Sequence, residues 1–256
     1  MISKNQQKLI RSLELKKYRQ REQLFVAEGP KVVGDLLRHS EAVQLFATPQ
    51  WEVVNNTKTP VQVLTDDELR RISFLQHPQQ VLGLFRLPQQ QMLETDKNEL
   101  AVIASKQLVL ALDGVQDPGN VGTIIRMADW FGIHHMVCSL QTADAWSPKV
   151  IQATMGSIAR VKIFYTHLPN FLQQLPNSTP IYGTLLDGND IYRSPLTPHG
   201  VIIMGNEGEG ISPDVRQLIS HALFIPRYNS TLSEGAESLN VAIATAITCA
   251  EFRRRG

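Results

Sequence analysis

Short apolar strands alternate with helical segments throughout residues 107–256, and this alternation constrains the fold more than any other feature of the sequence. A strand, helix, strand order predicts an α/β fold with a mostly parallel sheet and helices on both faces. In such sheets ligands bind at loops beyond the carboxyl ends of the strands, so those loops are the first places to look for a site. The predicted strands are QLVLALD, HHMVCS, VKIFYT, IYGTLL, VIIMG and ALFIP.

A change in composition separates this region from the residues before it. Residues 89–106 begin with a glutamine run, continue with charged residues and show no sustained hydrophobic periodicity. Such a segment is typical of a linker between domains. We therefore expect a first domain over residues 1–88, which reads as a small α/β module, and a second domain over residues 107–256.

The charge of the chain is divided unevenly between these parts. The whole chain has 25 Lys+Arg and 24 Asp+Glu, a net charge of +1, but residues 1–88 carry +4 and residues 89–256 carry −3. A basic segment at the head of a small domain suits RNA or DNA phosphates, and Lys16, Lys17, Arg19 and Arg21 are its candidate RNA-binding residues. The alternative is a solvated amphipathic helix.

Several classes of protein do not fit this sequence. No apolar run approaches the roughly 18–20 residues that a membrane span requires, and the first residues lack the apolar core of a secretory signal. Cys138 and Cys249 are isolated, so neither a disulfide framework nor a metal site is indicated. We expect a cytoplasmic protein with no membrane segment and no bound metal.

The first of three notable loops is DGVQDPGNVG, at residues 113–122. Asn120 lies where the N-cap of the next helix is expected, and Arg126 follows about two turns into that helix. Because Ile124 and Ile125 precede Arg126, we expect the arginine to have a dedicated anionic partner. The simpler alternative is a plain asparagine cap and a surface arginine.

The second loop, MGNEGEGIS, begins at Met204. Its glycines would let a ligand approach the backbone closely, but it has neither the Gly-Lys-Ser/Thr of a phosphate-binding loop nor the spacing of a dinucleotide fingerprint. Glu207 and Glu209 would repel an anion, so a cationic or neutral ligand fits better.

The third stretch runs from Ile225 to Ala246 and leads into an alanine-rich final helix. Ser238 or a residue near it is expected to cap this helix, with Asn240 in the first turn. Asparagine is mildly unfavourable there, which suggests a functional role, although a simple capping role is the alternative.

Taken in order, these three stretches resemble the motifs of the SpoU-type (TrmH-like) RNA 2′-O-ribose methyltransferases of the SPOUT superfamily. NVGTIIRMADWFG resembles the first motif, IIMGNEGEGIS the second, and IPRYNSTLSEGAESLNVAIATAI the third. LKKYRQREQLFVAEGPKVV resembles part of the family's L30e-like substrate-binding domain. One departure is that the segment between Pro226 and Ser238 is longer than the short form of the third motif.

The resemblance implies a C-terminal α/β trefoil knot that binds S-adenosyl-L-methionine, and a homodimer with its active site near the subunit interface. It also implies roles for particular residues. The residues implied to line the cofactor site are Gly205, Ile225 and Leu239. The residues implied to form the catalytic neighbourhood are Asn120, Arg126, Glu207, Ser238 and Asn240.

The chemistry of ribose methylation explains why such residues are needed. The 2′-hydroxyl is a very weak acid, so the enzyme must position it and help remove its proton. The family proposal makes Arg126 the base, but a guanidinium normally stays charged. The alternative is that Arg126 binds the phosphate beside the target ribose and stabilises the developing alkoxide.

The resemblance leaves the substrate and the activity partly open. Ribosomal RNA is favoured over transfer RNA, because an L30e-like leader is common among ribosomal RNA modifiers. The competing classes are a transfer RNA 2′-O-methyltransferase and a non-catalytic RNA-binding protein on the same fold. A nucleotide-dependent oxidoreductase is disfavoured because no GxGxxG follows the strand at 107–113.

Overall fold

The computed structural model describes residues 1–51, 59–89, 94–228 and 238–255, with the side chains of residues 94 and 95 excepted. The chain forms two compact units. The first unit combines Met1–Pro88 with Asp144–Arg160, and the second combines Gln89–Ala143 with Val161–Gly256. No helix among the described residues is long and apolar enough to cross a membrane.

The described part of the first unit contains a four-stranded sheet in the order β1-β4-β2-β3. Strand β4 pairs antiparallel with β1 and β2, and β3 joins β2 in parallel. The strands are β1 (Leu24–Glu28), β2 (Ala42–Ala47), β3 (Val61–Val63) and β4 (Val81–Arg86). The helices of this part of the chain are α1 (Lys4–Ser12), α2 (Lys16–Glu22), α3 (Pro30–Leu37) and α4 (Asp66–Ile72). The small α/β module predicted from the sequence is therefore present.

Local sequence explains where two of these helices begin. Ser3 and Gln6 form a reciprocal capping box at the start of α1, and Thr65 and Glu68 form another at α4. Ile10, Phe46 and other buried apolar side chains from both helices and the sheet share one core. Burial of this face, rather than helix propensity, fixes such short helices in place.

A segment from the middle of the sequence completes the first unit. Residues Asp144–Arg160 contain α7 (Pro148–Ala153), which contacts β1, and a 3-10 turn at Ser157–Ala159. Trp146 packs against Phe25 with ring centroids 4.8 Å apart. The sequence predicts one continuous domain over residues 107–256. The structure differs because the apolar side chains of this segment pack with the N-terminal residues.

The second unit contains a six-stranded sheet in the order β10-β8-β9-β5-β6-β7, in which every pairing is parallel. This confirms the predicted α/β fold with a parallel sheet. The strands are β5 (Leu108–Asp113), β6 (His135–Ser139), β7 (Lys162–Thr166), β8 (Ile181–Asp190), β9 (Gly200–Gly205) and β10 (His221–Phe224). The helices are α5 (Glu94–Ala104), α6 (Pro118–Trp130), α8 (Leu168–Gln173), α9 (Pro213–Arg216) and α10 (Val241–Arg255). Strands β5 and β9 are buried along their whole length, as expected for central strands covered on both faces.

Helix α5 lies inside the stretch that the composition predicts to be a linker. Leu100, Ala101 and Ala104 are buried in the core of the second unit. Partly buried Ile103 packs against the same core. These apolar positions all lie in the second half of the helix, so the stretch as a whole shows no sustained helical periodicity. Residues 94–104 are therefore a packed part of the second unit.

The final helix, α10, packs against α6 and β9. Three consecutive arginines at its C-terminal end form hydrogen bonds with nearby residues. Arg253 donates to the carbonyls of Phe131 and Gly132 at 2.7 and 3.0 Å, which satisfies the C-terminus of α6. Arg254 and Arg255 both donate to Glu251, and these contacts together with the arginine charge lower the pKa of that carboxyl below its ordinary value.

Candidate active site

Two loops of the second unit meet at one edge of the parallel sheet. Strand β5 pairs with β9 so that Asp113 lies opposite Gly205 at the carboxyl ends of both strands. Beyond Asp113 the chain turns at Gly114, which has a φ of +71° that favours glycine. This is the edge at which ligands bind in parallel α/β sheets.

The glycine-rich loop after β9 is closed by its own hydrogen bonds. The backbones of Asn206 and Gly210 pair in both directions, at 2.9 and 3.1 Å. A Cβ at Gly205 would overlap the backbone of Gly210 and Ile211, so only glycine permits this closure. At Gly210, where φ is +73°, a Cβ would meet no described atom within 4 Å, so the backbone is bare on that side.

Asn206 organises this loop and was missed by the sequence analysis. Its Oδ1 accepts from the amides of Gly208 and Glu209 at 2.8 and 3.0 Å, and its Nδ2 donates to the carbonyl of Gly114 at 2.7 Å. It therefore ties the loop after β9 to the loop after β5. An asparagine that follows a strand and precedes glycines is typical of such a side-chain turn, so the sequence itself indicates this role of Asn206.

Three of the predicted residues form a continuous chain of hydrogen bonds, which we call the relay: Glu207, Asn120 and Asn240. Asn120 Nδ2 donates to Glu207 Oε1 at 2.9 Å, and Asn240 Nδ2 donates to Asn120 Oδ1 at 3.0 Å. An ionised carboxylate only accepts, so Glu207 fixes the orientation of both amides in turn. The structure thus brings together residues from three separate parts of the sequence.

The helix starts around the relay differ from the sequence expectation. Asp117, rather than Asn120, is the N-cap of α6, and its Oδ1 accepts from the amide of Asn120 at 2.8 Å. Pro118 then takes the first helical position, which suits proline. Because Asp117 supplies the cap, the side chain of Asn120 is available to Glu207.

Asn240 is itself the residue that caps α10, instead of lying within its first turn. Its Oδ1 accepts from the amides of Ala242 and Ile243 at 2.9 and 3.3 Å. The cap and the relay use opposite ends of one amide, so the start of the final helix and the position of Asn120 are coupled. Ser238, the cap suggested from the sequence, lies exposed two residues earlier.

Arg126 does not have the anionic partner that its apolar neighbours in sequence suggested. The side chain is exposed and forms no ion pair or hydrogen bond within the described part of the chain. Ile124 and Ile125 are fully buried, because the helical period turns them toward the core while Arg126 turns outward. Arg126 is therefore not bonded to the relay of this chain.

The predicted cofactor residues lie beside the same sheet edge. Gly205 ends β9, half-buried Ile225 follows β10, and Leu239 precedes Asn240 with half of its surface exposed. The longer stretch between Pro226 and Ser238 falls largely outside the described residues, which omit 229–237.

The basic residues of α2 divide into two groups. Lys16, Lys17 and Arg21 are exposed, and the charged ends of Lys17 and Arg21 lie 5.0 and 4.8 Å from the centroid of the Tyr18 ring. Arg19 is wrong as an RNA-binding residue, because its side chain is 2% exposed and pairs with Asp144 at 2.5 Å. The positive charge of Arg19 is therefore paired with Asp144 inside the first unit.

Neither cysteine is a candidate nucleophile. Burial raises the pKa of Cys249 to about 12 and that of Cys138 further still, so neither is a thiolate nucleophile. Within the described ranges, no group of His, Cys, Asp and Glu is arranged to hold a metal ion.

The model of the SpoU rRNA methylase family matches residues 107–250. The chain belongs to the SpoU rRNA methylase family. The matched residues include all three members of the relay, and a model of the MRM3-like substrate-binding domain matches residues 4–83. This confirms the family suggested by the sequence motifs and shows a substrate-binding domain in the N-terminal part of the chain.

Family relatives match nearly the whole chain. The 23S rRNA (guanosine(2553)-2′-O)-methyltransferase RlmP of Bacillus subtilis is 30% identical, over 95% of this chain and 94% of its own length. A putative RNA methyltransferase of the TrmH family from Porphyromonas gingivalis is 41% identical, with a TM-score of 0.87 over all of both chains. An AdoMet-bound rRNA methyltransferase from Sinorhizobium meliloti is 30% identical, with a TM-score of 0.83 over 100% of this chain and 97% of its own.

Proposed function

We propose that the protein transfers a methyl group from S-adenosyl-L-methionine to a ribose 2′-hydroxyl of ribosomal RNA. The observation that carries this proposal is the relay of Glu207, Asn120 and Asn240 at the carboxyl edge of a parallel sheet. Fixed amides beside a carboxylate can hold and orient a hydroxyl group, which the weakly acidic ribose requires. The relatives named as ribosomal RNA 2′-O-methyltransferases support the same reaction.

The residues at this edge fit the cofactor. The bare backbone of Gly210 leaves room for a ligand close to the main chain. Glu207 and Glu209 give the loop a negative charge that suits a cation rather than a phosphate. Gly205, Ile225 and Leu239 would hold the cofactor, largely through their backbones. When bound, S-adenosyl-L-methionine supplies an electrophilic methyl group on a sulfonium.

Arg126 suits the role of a phosphate clamp better than that of a base. An exposed guanidinium at neutral pH carries a proton and a full charge, so it has no lone pair with which to accept a proton. It can donate two hydrogen bonds to one phosphate group. Bound beside the target ribose, its charge would also favour the developing alkoxide. Ser238 and Asn240 would then orient the ribose itself.

The basic first unit would present the RNA. Lys16, Lys17 and Arg21 are exposed on α2, and the Tyr18 ring holds the charged ends of Lys17 and Arg21 close together. Phosphate contacts of this kind position structured RNA without reading its sequence. The bacterial relatives named as ribosomal RNA methyltransferases support a cytoplasmic location.

We further propose that the protein is a homodimer and that α10 threads a trefoil knot, as the family resemblance implies. Trp130 on α6 is 81% exposed and Ile243 on the adjacent α10 is 52% exposed. A partner chain packed on α6 and α10 would cover these two side chains. A second protomer would also supply groups near Arg126, which is not bonded to the relay of its own chain.

Ribose methylation mapped across total RNA, with and without the gene, tests the activity. We expect one 2′-O-methyl signal in 23S ribosomal RNA to disappear with the gene and to return with the wild-type protein but not with Asn120→Ala. A lost signal in transfer RNA would instead assign the transfer RNA reaction. No lost signal, together with retained RNA binding, would favour the non-catalytic alternative.

A further inference from the structure

Besides the basic residues of α2, the first unit has a second cluster of basic residues. This cluster surrounds Asp35 and is distant from α2 in the sequence. The Asp35 carboxylate contacts Lys31 Nζ at 3.3 Å and Arg160 Nη1 at 3.6 Å, and Arg38 Nη2 is closer still. Lys31, Asp35 and Arg38 come from α3 and its C-cap, while Arg160 comes from the end of the Asp144–Arg160 segment. We call these four residues the Asp35 cluster.

The position of Asp35 is fixed by the packing around it. Its side chain is only 4% exposed, and the backbone of Gly156 lies directly against the carboxylate. A Cβ at Gly156 would overlap Asp35, and the φ of +95° at that residue also requires glycine. The three cations are therefore arranged around a buried, closely packed carboxylate.

The Asp35 cluster carries more positive charge than its structural role requires. One buried carboxylate needs one cationic partner and hydrogen bonds, yet Lys31 and Arg38 both contact Asp35 in addition to Arg160. Lys31 and Arg38 are 63% and 59% exposed. Exposed pairs of this kind add little stability, so stability alone does not account for both.

The exposed cations have donors left for another anion. A guanidinium has five N–H groups in a planar fork that matches a phosphate, and an ammonium has three. Asp35 uses only part of this capacity and keeps the side chains in place, which reduces the entropy lost when an anion binds. The first unit as a whole has 15 Lys+Arg and 10 Asp+Glu, so its charge also attracts a polyanion.

We propose that Lys31, Arg38 and Arg160 form a second phosphate-binding site for the RNA backbone, held in shape by Asp35. This inference rests on the proposed function, because RNA is the polyanion that the protein acts on. Arg160 is the last residue of its segment and is followed at once by Val161 and β7. RNA bound at the Asp35 cluster would thus contact both sequence segments from which the first unit is assembled.

The test compares two double variants of the full-length protein that remove the same charge. Lys31→Gln/Arg38→Gln alters the Asp35 cluster and leaves Asp35 paired with Arg160. Arg70→Gln/Arg71→Gln alters two exposed arginines of α4 on the same unit. Binding to in vitro transcribed 23S ribosomal RNA is measured between 50 and 200 mM salt, with S-adenosyl-L-methionine binding by calorimetry as a check on the second unit.

We expect the Lys31/Arg38 variant to bind RNA about tenfold more weakly at about 0.1 M salt, with a salt slope lower by about 1.5, as for the loss of two phosphate contacts. The RNA affinity of the Arg70/Arg71 variant should stay within about threefold of that of wild type. The Arg38→Lys variant should keep most of the RNA affinity. Equal losses in both double variants would overturn the proposed site, since they would report net charge alone.

The outcomes of this test distinguish a failure of the proposed function from a failure of this inference. If wild type binds and methylates RNA while the Lys31/Arg38 variant matches the Arg70/Arg71 variant, only the second phosphate site is wrong. If wild type neither binds nor methylates any RNA, both proposals are wrong. Unchanged S-adenosyl-L-methionine binding in the Lys31/Arg38 variant, combined with weaker RNA binding, supports the site as stated.

Discussion

Asn240 donates its side-chain amide to Asn120 across 3.0 Å, and this bond joins the start of the final helix to the first turn of α6. The same asparagine caps α10 through its other end. The geometry of the relay therefore depends on the final helix being in place, which links completion of the fold to formation of the site.

Replacement of Asn120 by alanine should disable the relay without unfolding the protein. It removes one hydrogen bond to a carboxylate and one to Asn240, and bonds to charged groups contribute about 1.5–3 kcal/mol. We expect methyl transfer in single-turnover assays to fall at least tenfold, with the thermal midpoint changed by only a few degrees. Asn98→Ala, at an exposed position of α5, is the matched control and should be near wild type.

Arg126→Lys separates the two proposed roles of Arg126. A phosphate clamp needs a positive charge, so lysine should keep part of the rate, while Arg126→Ala should lose most of it. If Arg126 only clamps phosphate, the pH–rate profile of Arg126→Lys keeps the wild-type shape. A profile displaced toward lower pH would contradict the clamp, because a lysine base titrates below an arginine.

The parallel sheet and the loops at its edge could be predicted from the sequence, since strand periodicity and glycine positions are local signals. The partners of individual side chains could not. Arg126 and Arg19 are both basic residues in helices, yet one is exposed and the other is buried against Asp144, 125 positions away. Likewise, Asp117 and Asn120 are both plausible caps by type, and only the start of the helix at Pro118 decides between them.

The Arg19–Asp144 pair should be a major source of stability for the first unit. Asp144→Asn leaves a buried guanidinium without its counterion, and breaking such a pair typically costs about 3–5 kcal/mol. Denaturant unfolding followed by tryptophan fluorescence should therefore show a much lower midpoint. Arg21→Gln, on the exposed face of the same helix, is the control, and we expect a change within about 0.5 kcal/mol.

Glu28 should make the stability of the first unit depend on pH. Burial raises the pKa of this carboxyl above its ordinary value, although Ser73 and Phe74 donate hydrogen bonds to it and partly oppose the shift. A raised pKa in the folded state means that the folded protein binds the proton more tightly than the unfolded chain does. The contribution of Glu28 is therefore largest below the unfolded pKa and is lost as the pH rises through the folded value.

The measurement for Glu28 is the difference in unfolding free energy between wild type and Glu28→Gln at several pH values. Other titrating groups cancel in this difference, because both proteins share them. We expect the unfolding free energy of wild type to increase relative to that of the variant as the pH falls from about 8 to about 4.5. A difference that stays constant, or one that moves in the opposite direction, would show that the carboxyl is not held in its neutral form by burial.

Trp130 is the most direct probe of the proposed dimer. An indole that is 81% exposed on a helix is costly in water and is among the side chains most enriched at the centres of protein interfaces. Trp130→Glu should place a charge in that interface, so we expect sedimentation to shift from dimer toward monomer, with methyl transfer reduced in parallel. Val102→Glu makes a similar change at an exposed position of α5 and should leave both the mass and the activity unchanged. A Trp130→Glu protein that remains dimeric would exclude α6 from the interface, and a wild-type monomer with full activity would show that one protomer holds a complete site.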